Sequence, residues 1–397
     1  MMKIKNLISP ISTRRETNFL RNNTIRSNGV ISEQLVKCQN HGQNFVLRFL
    51  YLIDLQVDSN KTLRAKTLVR FVIFCMVLVN IEILVTTVPK LIFKMNDFYM
   101  KIAILQLIWY VMSSLIWYTL RRKRKQLTIL LRILRKTNYL ACTRSQTLVL
   151  ALICCTPFFF AILTGISNTA TKKGTVYGFQ IDPSIYIVIK CIKYFSNVSV
   201  YPTWINFVTF LYCLICQGVC KLMRSLVSEV HFCPREEFTL AMRTNILTQV
   251  TRIKHILGLV QKVFFVPSFL VCVIHFCSCI TVLVAAMFIK NVTDPTTHLK
   301  MVCLFINSFC GLLACLWTAG RLPIEGEKLR TGFRKKLCQK YLQGPGNSFS
   351  VNCLEGELID PSSFLLTGCY IVYFRRSSIL ALAGTILTYS TLLISKN

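Results

Sequence analysis

The chain ends with the sequence SSILALAGTILTYSTLLISKN at residues 377–397, and this stretch decides the fold. It is long enough for a membrane helix, because about 20 apolar residues cross a hydrocarbon core of about 30 Å. The sequence stops three residues after Ile394. A helix in this position leaves no tail for docking partners, so we expect it to act within the membrane.

Composition indicates the same class for the whole chain. Of its 397 residues, 53% are hydrophobic and 16% are charged, and the mean hydropathy is +0.51. A soluble protein of this length needs more polar surface. We therefore expect an all-α membrane protein that crosses the bilayer several times.

Apolar runs of sufficient length predict seven transmembrane helices. Their approximate bounds are 68–89, 102–120, 147–166, 199–220, 264–288, 301–320 and 377–394. The segments on the side of the N-terminus carry 36 Lys and Arg residues, and those on the other side carry 10. The positive-inside rule then predicts a cytoplasmic N-terminus and an extracellular C-terminus. The glycosylation acceptors Asn197 and Asn291 fall in predicted outer segments, which agrees with this orientation.

The predicted topology divides the chain into four parts. These are a cytoplasmic arm at 1–67, six transmembrane helices over 68–320, a cytoplasmic loop and helix at 321–364, and the C-terminal helix at 365–397. A cytoplasmic helical hairpin at 221–263 lies within the second part.

The hairpin contains an apolar seam with alternating spacings of four and three residues. Its members are Ile246, Val250, Ile253, Leu257 and Val260. This spacing predicts long helices that project into the cytoplasm and pack against each other or a neighbouring subunit. The alternative is an amphipathic helix lying on the membrane surface.

Several function classes are disfavoured by the sequence. The net charge of +31 comes from basic residues between apolar runs, which indicates topology rather than nucleic-acid binding. The 19 cysteines lie mostly within or beside the spans, which indicates packing rather than disulfides or zinc. No catalytic motif is present, so we expect neither an enzyme nor a metal or cofactor site. A cytoplasmic N-terminus argues against a G-protein-coupled receptor.

One acidic residue, Glu82, lies inside the first predicted span. Charge within a membrane is costly and is often functional. Glu82 could therefore be a ligand-facing or gating carboxylate. Alternatively it lies near the outer headgroups, about eight residues from Lys90, and reaches them by snorkelling.

The C-terminal residues resemble those of insect gustatory receptors, within the insect chemoreceptor superfamily that includes the odorant receptors. That family has a Gly-containing entry to its last span, then Thr-Tyr, five hydrophobic residues and Gln-Phe. Here Gly368 lies at the entry and Thr388-Tyr389 precede Ser390 to Ile394. Ser395-Lys396 stand where the family has Gln-Phe. Phe207 to Cys216 and Ala319 to Glu325 are similar to the family's fourth span and sixth-span exit.

The resemblance implies a tetrameric, ligand-gated, non-selective cation channel in the plasma membrane of a sensory-neuron dendrite. The last helix of each subunit would line the pore, and cytoplasmic helices would form an anchor domain. Thr388, Leu392 and Ser395 would share one pore-facing stripe, with Leu392 as the hydrophobic constriction. Partner subunits would be the same chain or other gustatory receptors.

The resemblance also implies a pocket for a small-molecule tastant among the second to sixth spans. The candidate residues are mostly aromatic: Trp109, Tyr110, Phe159, Tyr201, Trp204 and His275. Aromatic residues with a few polar groups suit organic ligands. They equally suit an interfacial aromatic belt. The alternative functions are an odorant-receptor-like channel subunit and a G-protein-coupled or transporter-like protein without its own pore.

Overall fold

A computed structural model of the chain describes residues 67, 70, 74, 77–85, 97–137, 143–168, 174–176, 179–234, 236–288, 295–341 and 359–395. Nearly all of these residues are helical. The α-helices, in chain order, are α1 (77–85), α2 (Asp97–Arg122), α3 (Arg124–Lys136), α4 (Arg144–Asn168), α5 (Pro183–Val198), α6 (Trp204–Phe232), α7 (Leu240–Phe288), α8 (Pro295–Ala319), α9 (Arg321–Tyr341) and α10 (Ser377–Ser395).

Short elements connect some of these helices. The π-helical segment Ser199–Thr203 joins α5 to α6, and a 3₁₀ helix spans Pro361–Phe364. Two antiparallel hairpins are also present. Strand β1 (Gly174–Val176) pairs with β2 (Phe179–Ile181), with Gly174 opposite Ile181. Strand β3 (Thr367–Gly368) pairs with β4 (Val372–Tyr373), with Thr367 opposite Tyr373.

The apolar runs expected from the sequence fall on helices wherever the structure describes them. Four helical stretches are long and apolar enough to cross a membrane, within the described residues: Arg144–Ile166, Ser184–Phe232, Leu240–Ala286 and Pro295–Gln339. The first predicted run is described only in part and is helical at 77–85. The all-α character is confirmed, whereas the count of seven spans and the orientation of the termini stay predictions.

The fourth predicted run is part of a longer helical stretch. We expected it to begin at residue 199 and to follow an outer loop, but helix α5 precedes it. Asp182 accepts a hydrogen bond from the Ser184 backbone N–H at 2.8 Å, and Pro183 begins the helix, a favourable start for any helix. Lys190 and Lys193 interrupt the apolar pattern of α5, which is why hydropathy missed it.

Helices α6 and α7 form the long hairpin. Helix α6 ends at Phe232, and the Lys336 ammonium donates to the carbonyl of Cys233, where the α6 backbone turns, at 2.7 Å. Helix α7 has 49 residues, about 74 Å at 1.5 Å per residue. It packs against α2, α3, α6, α8 and α10. All five residues of the predicted seam are buried, so the structure favours packed helices over a surface helix.

Helix α9 packs against this hairpin. Its apolar residues Leu329, Phe333 and Leu337 are buried, and the Phe333 ring lies 5.6 Å from that of Phe238. A buried carboxylate also joins α9 to α6, near the start of α9. Glu325, only 5% exposed, accepts a hydrogen bond from Arg224 Nε of α6 at 2.9 Å.

The entry to α10 crosses the end of α8 at very short range. A Cβ atom on Gly320 would lie 3.0 Å from the Arg376 backbone nitrogen. Gly368 of β3 is in a similar position, because its Cβ would lie 3.1 to 3.3 Å from atoms of Phe269 in α7. Two glycines therefore allow the chain to pass closely over α8 and α7 before α10 begins.

Candidate functional site

Aromatic residues of α2 gather around Tyr201 at the junction of α5 and α6. Tyr201 has an extended backbone (φ −145°, ψ 126°) inside a helical run, and its peptide bond to Pro202 is cis. The Tyr201 ring stacks on Trp109 at 4.9 Å and meets Tyr110 edge-on at 6.4 Å. Trp109 and Tyr201 are both buried. The break in the helix thus brings three of the predicted pocket residues together.

Two other predicted residues lie apart from this stack. Trp204 is buried one turn further along and stacks on Phe207 at 6.1 Å. Phe159 is 44% exposed and contacts the ring of Phe160. Phe159 therefore points away from the aromatic cluster, as expected for a residue that faces lipid or a neighbouring chain.

His275, the last predicted pocket residue, is fully buried in α7. Its Nε2 lies 3.1 Å from the Thr209 hydroxyl of α6, which fixes the ring by one hydrogen bond. Gly311 of α8 makes room for the ring, since a Cβ there would lie 2.6 Å from it. The imidazole is thus held between α6 and α8.

Sequence reasoning missed the polar residues around His275. Ser308 donates to the Ser278 hydroxyl at 2.9 Å, and Asn206 donates to the Asn307 side-chain oxygen at 2.8 Å. The signal was present, because polar residues recur at helical spacing within apolar runs. Asn206 and Thr209 are three apart on α6, as are His275 and Ser278 on α7.

Several buried polar atoms near these residues have no hydrogen-bond partner among the described residues. They are Trp109 Nε1, Ser113 Oγ, Tyr201 Oη, Thr203 Oγ1, Trp204 Nε1 and His275 Nδ1. The Tyr201 hydroxyl lies close to the Ser278 and Ser308 hydroxyls. An unpaired buried polar group costs about 1–3 kcal/mol. The cluster can therefore gain free energy by pairing these groups with those of a small organic molecule.

Glu82 pairs with a lysine. Its carboxylate lies 2.5 Å from Lys193 Nζ of α5, and both side chains are partly exposed. Lys90 lies outside the described residues. The ion pair ties α1 to α5, and the two interpretations drawn from the sequence both stay predictions.

The two predicted glycosylation acceptors differ in what the structure describes. Asn197 lies in the last turn of α5, with its side chain partly buried. Its glycosylation stays a prediction. Asn291 lies outside the described residues.

The proposed pore residues lie on helix α10. Thr388 is exposed, and its hydroxyl donates to the Gly384 carbonyl at 2.9 Å. The backbone is helical at Tyr389, Leu392 and Ser395, whose side chains lie outside the described set. Ile386 on another face is buried. Helix α10 thus packs on its own subunit with one face and leaves Thr388 exposed.

A polar clamp joins α7 to the segment that enters α10. The Gln261 amide donates to the Thr367 carbonyl at 2.7 Å and accepts from the Thr367 N–H at 3.1 Å. The next turn adds a bond from the Cys369 N–H to the Phe265 carbonyl at 3.2 Å. Cys369 has a positive φ of 51°, which directs the chain back towards α7. We call residues 261, 265, 367 and 369 the α7 clamp.

Two solved structures have a similar fold. Both are of the insect olfactory receptor OR5 from Machilis hrabei, with TM-scores of 0.66 for its complex with eugenol and 0.68 for the other structure. Sequence identity is 15% in each case, and each match covers 92% of this chain and 99% of the other. This chain has the insect olfactory receptor fold. No protein-family model and no curated protein matches its sequence.

The insect olfactory receptor fold is shared as a whole, because the match extends over nearly the full length of both chains. Together with the long apolar helices, it makes this chain a multi-pass membrane protein. Within that fold, the aromatic and polar cluster lies between α2, α6, α7 and α8. The α7 clamp joins α7, one of these helices, to the segment that enters α10.

Proposed function

We propose that this chain is a subunit of a ligand-gated, non-selective cation channel that acts in contact chemosensation, as a gustatory receptor does. The observation that supports the proposal best is the buried cluster around Tyr201 and His275 within an insect olfactory receptor fold. Four subunits surround a pore lined by α10, in the plasma membrane of a sensory-neuron dendrite. The ligand is a small organic tastant.

The ligand site in this proposal combines stacking surfaces with unpaired polar groups. The rings of Trp109 and Tyr201 provide the stacking surface, and the Tyr201 hydroxyl and His275 Nδ1 provide polar contacts. Sites for small organic molecules are commonly built in this way. A ligand that pairs these groups binds more tightly to the conformation in which they are accessible.

Helix α7 connects this site to the pore helix. His275 is ten residues from Phe265, or about 15 Å along the helix. Phe265 belongs to the α7 clamp, and the clamp residues Thr367 and Cys369 lie in the segment that leads into α10. A ligand that shifts α7 therefore moves the start of α10, and this displacement opens or closes the constriction at Leu392.

A second candidate is an odorant-receptor-like channel subunit, and the two solved olfactory receptor structures favour it. The two candidates differ in the ligand and share the same architecture. A panel that contains sugars, amino acids and bitter compounds beside volatile aromatic compounds separates them. Currents evoked only by the volatile compounds would replace the gustatory assignment.

The test is a whole-cell recording from cells that express this chain and have no chemoreceptors of their own. Tyr201→Phe removes one unpaired hydroxyl and keeps the stack, so we expect a ligand-evoked cation current with a shifted half-maximal concentration. Phe159→Leu is the matched control, because Phe159 faces away from the cluster. No current from surface-delivered protein, with or without a second receptor subunit, would refute the channel proposal.

A further inference from the structure

A cleft with a volume of about 440 Å³ lies between the α8–α9 junction and the segment that enters α10. Pro323, Ile324 and Leu365 form apolar walls, and Arg375 and Arg376 lie along it. This volume is within the range of small-molecule sites, about 300–1,000 Å³. None of the lining residues belongs to the aromatic cluster or to the α7 clamp, so the cleft is a separate site.

The cleft lies at a membrane boundary. The apolar run of α8 ends at Ala319 and that of α10 begins after Arg376, and the two backbones meet at Gly320. Trp317 is 48% exposed, and the guanidinium carbon of Arg376 lies 4.5 Å from the centre of its ring. Exposed tryptophan is common where hydrocarbon gives way to headgroups. By the distribution of Lys and Arg, this boundary is the cytoplasmic one, where the leaflet is anionic.

Both arginines are available to an anion. Neither makes an ion pair with any residue in the described part of the chain. The Arg376 guanidinium carbon lies over the Trp317 ring, and this cation–π contact holds the group beside the cleft without using its N–H donors. Guanidinium groups bind phosphate oxygens in pairs, with two parallel hydrogen bonds. The first turn of α10 contains no acidic residue to compete for them.

Two carboxylates lie near the cleft, and each is held by its own segment. Glu327, which lines the cleft, accepts a hydrogen bond from the Thr331 hydroxyl of the same helix at 3.4 Å. Asp360 accepts hydrogen bonds from the Ser362 hydroxyl and from the Ser362 N–H, the latter at 3.0 Å, and these bonds lower the pKa of Asp360. Neither carboxylate forms an ion pair with Arg375 or Arg376 in the described part of the chain.

We propose that the cleft binds the headgroup of an anionic phospholipid from the cytoplasmic leaflet. Arg375 and Arg376 bind the phosphate, and Pro323, Ile324 and Leu365 contact the glycerol and the first acyl carbons. Free phosphate offers the same anion, but it makes no use of the apolar walls. The bound lipid holds the first residues of α10 against the end of α8, so the leaflet's composition sets the resting position of the pore helix.

The test uses the purified full-length chain in detergent and a fluorescent short-chain phosphatidic acid, followed by fluorescence polarisation. Changing both arginines, Arg375→Gln with Arg376→Gln, should weaken binding roughly 25-fold, since each basic residue near an anionic surface contributes about a fivefold factor. The matched control changes Arg334→Gln with Lys335→Gln, two exposed basic residues of α9 outside the cleft. This control should keep the affinity within about twofold of the wild type.

Three results would overturn the proposal. One is unchanged binding by the double arginine variant, and another is an equal loss in the control variant. The third is equal displacement of the probe by inorganic phosphate, which would assign the site to a free anion. If the double variant fails to fold, Ser377→Asp replaces it, because a carboxylate in the first turn of α10 favours the helix and repels phosphate. Undiminished binding of the probe by Ser377→Asp would also overturn the proposal.

Discussion

The contact between Gly311 and His275 allows a sharp test of how α7 and α8 pack. In Gly311→Ala, the new methyl carbon would lie 2.6 Å from two atoms of the imidazole ring and 3.1 Å from a third. The ring is fully buried and cannot move without losing its bond to Thr209. Overpacking costs about 1–3 kcal/mol, and the hydrogen bond contributes about 1 kcal/mol more. Alanine is a better helix former than glycine by about 1 kcal/mol, so we expect a net loss of about 1–3 kcal/mol.

The measurement is the melting temperature of the purified chain in detergent. At about 2 °C for each kcal/mol in large domains, Gly311→Ala should melt about 2–6 °C below the wild type. Gly258→Ala on α7 is the matched control, since its methyl group would meet nothing within 4 Å. Alanine is a better helix former than glycine by about 1 kcal/mol, so this control should melt slightly higher.

A double-variant cycle separates the clash from other effects of the alanine. In a His275→Ala background the ring is absent, so adding Gly311→Ala should cost little or even stabilise α8. The reasoning would be refuted if Gly311→Ala melted at or above the wild-type temperature. It would also fail if the cost of Gly311→Ala were the same with and without the His275 ring.

Three further predictions concern the helix contacts and the pore. Glu325→Ala leaves Arg224 without its buried partner and should lower the free energy of unfolding by about 1–3 kcal/mol, as measured by chemical denaturation in detergent. This is less than the cost of breaking a fully buried ion pair, because the Arg224 side chain is 44% exposed. Gln261→Ala removes the amide of the α7 clamp, so the current at saturating ligand should fall while surface delivery stays normal. Leu392→Ala widens the proposed constriction and should produce current without ligand, recorded in the same cells.

Each of these predictions has an opposing result. Denaturation of Glu325→Ala at the wild-type midpoint would mean that the ion pair adds nothing to the α6–α9 contact. A full current from Gln261→Ala would show that the α7 clamp does not transmit the ligand signal. A Leu392→Ala channel that stays closed without ligand would place the constriction elsewhere.

The positions of the helices could be predicted from the sequence because length and hydropathy are local properties. The run predicted at 301–320 corresponds to α8, which ends at Ala319. The π-helical segment at Ser199–Thr203 was not predicted, since Pro202 lies within a run that hydropathy alone presents as one continuous span. Local composition does not distinguish a straight helix from one that turns a tyrosine towards another helix.

The candidate site was predicted only in part, because residue type is a local property and does not tell which way a side chain faces. Trp109, Tyr110 and Tyr201 were chosen by residue type, and the structure brings them together. Phe159 was chosen by the same rule and faces outward. The bond between Asn206 and Asn307 depends on the register of two helices about 100 residues apart in the chain, and a single sequence contains no information about that register.

The unbroken length of α7 has a thermodynamic consequence. One helix carries His275 of the proposed ligand site, the α7 clamp beside the proposed pore helix and the buried seam that begins at Ile246. If these regions change conformation together, coupling between them is reciprocal. Any molecule that binds the Ile246 end of α7 more tightly in one conformation must then change the affinity for a ligand at His275 by the same factor by which that ligand changes its binding. What is bound at one end of this helix therefore sets the sensitivity of a site near the other end.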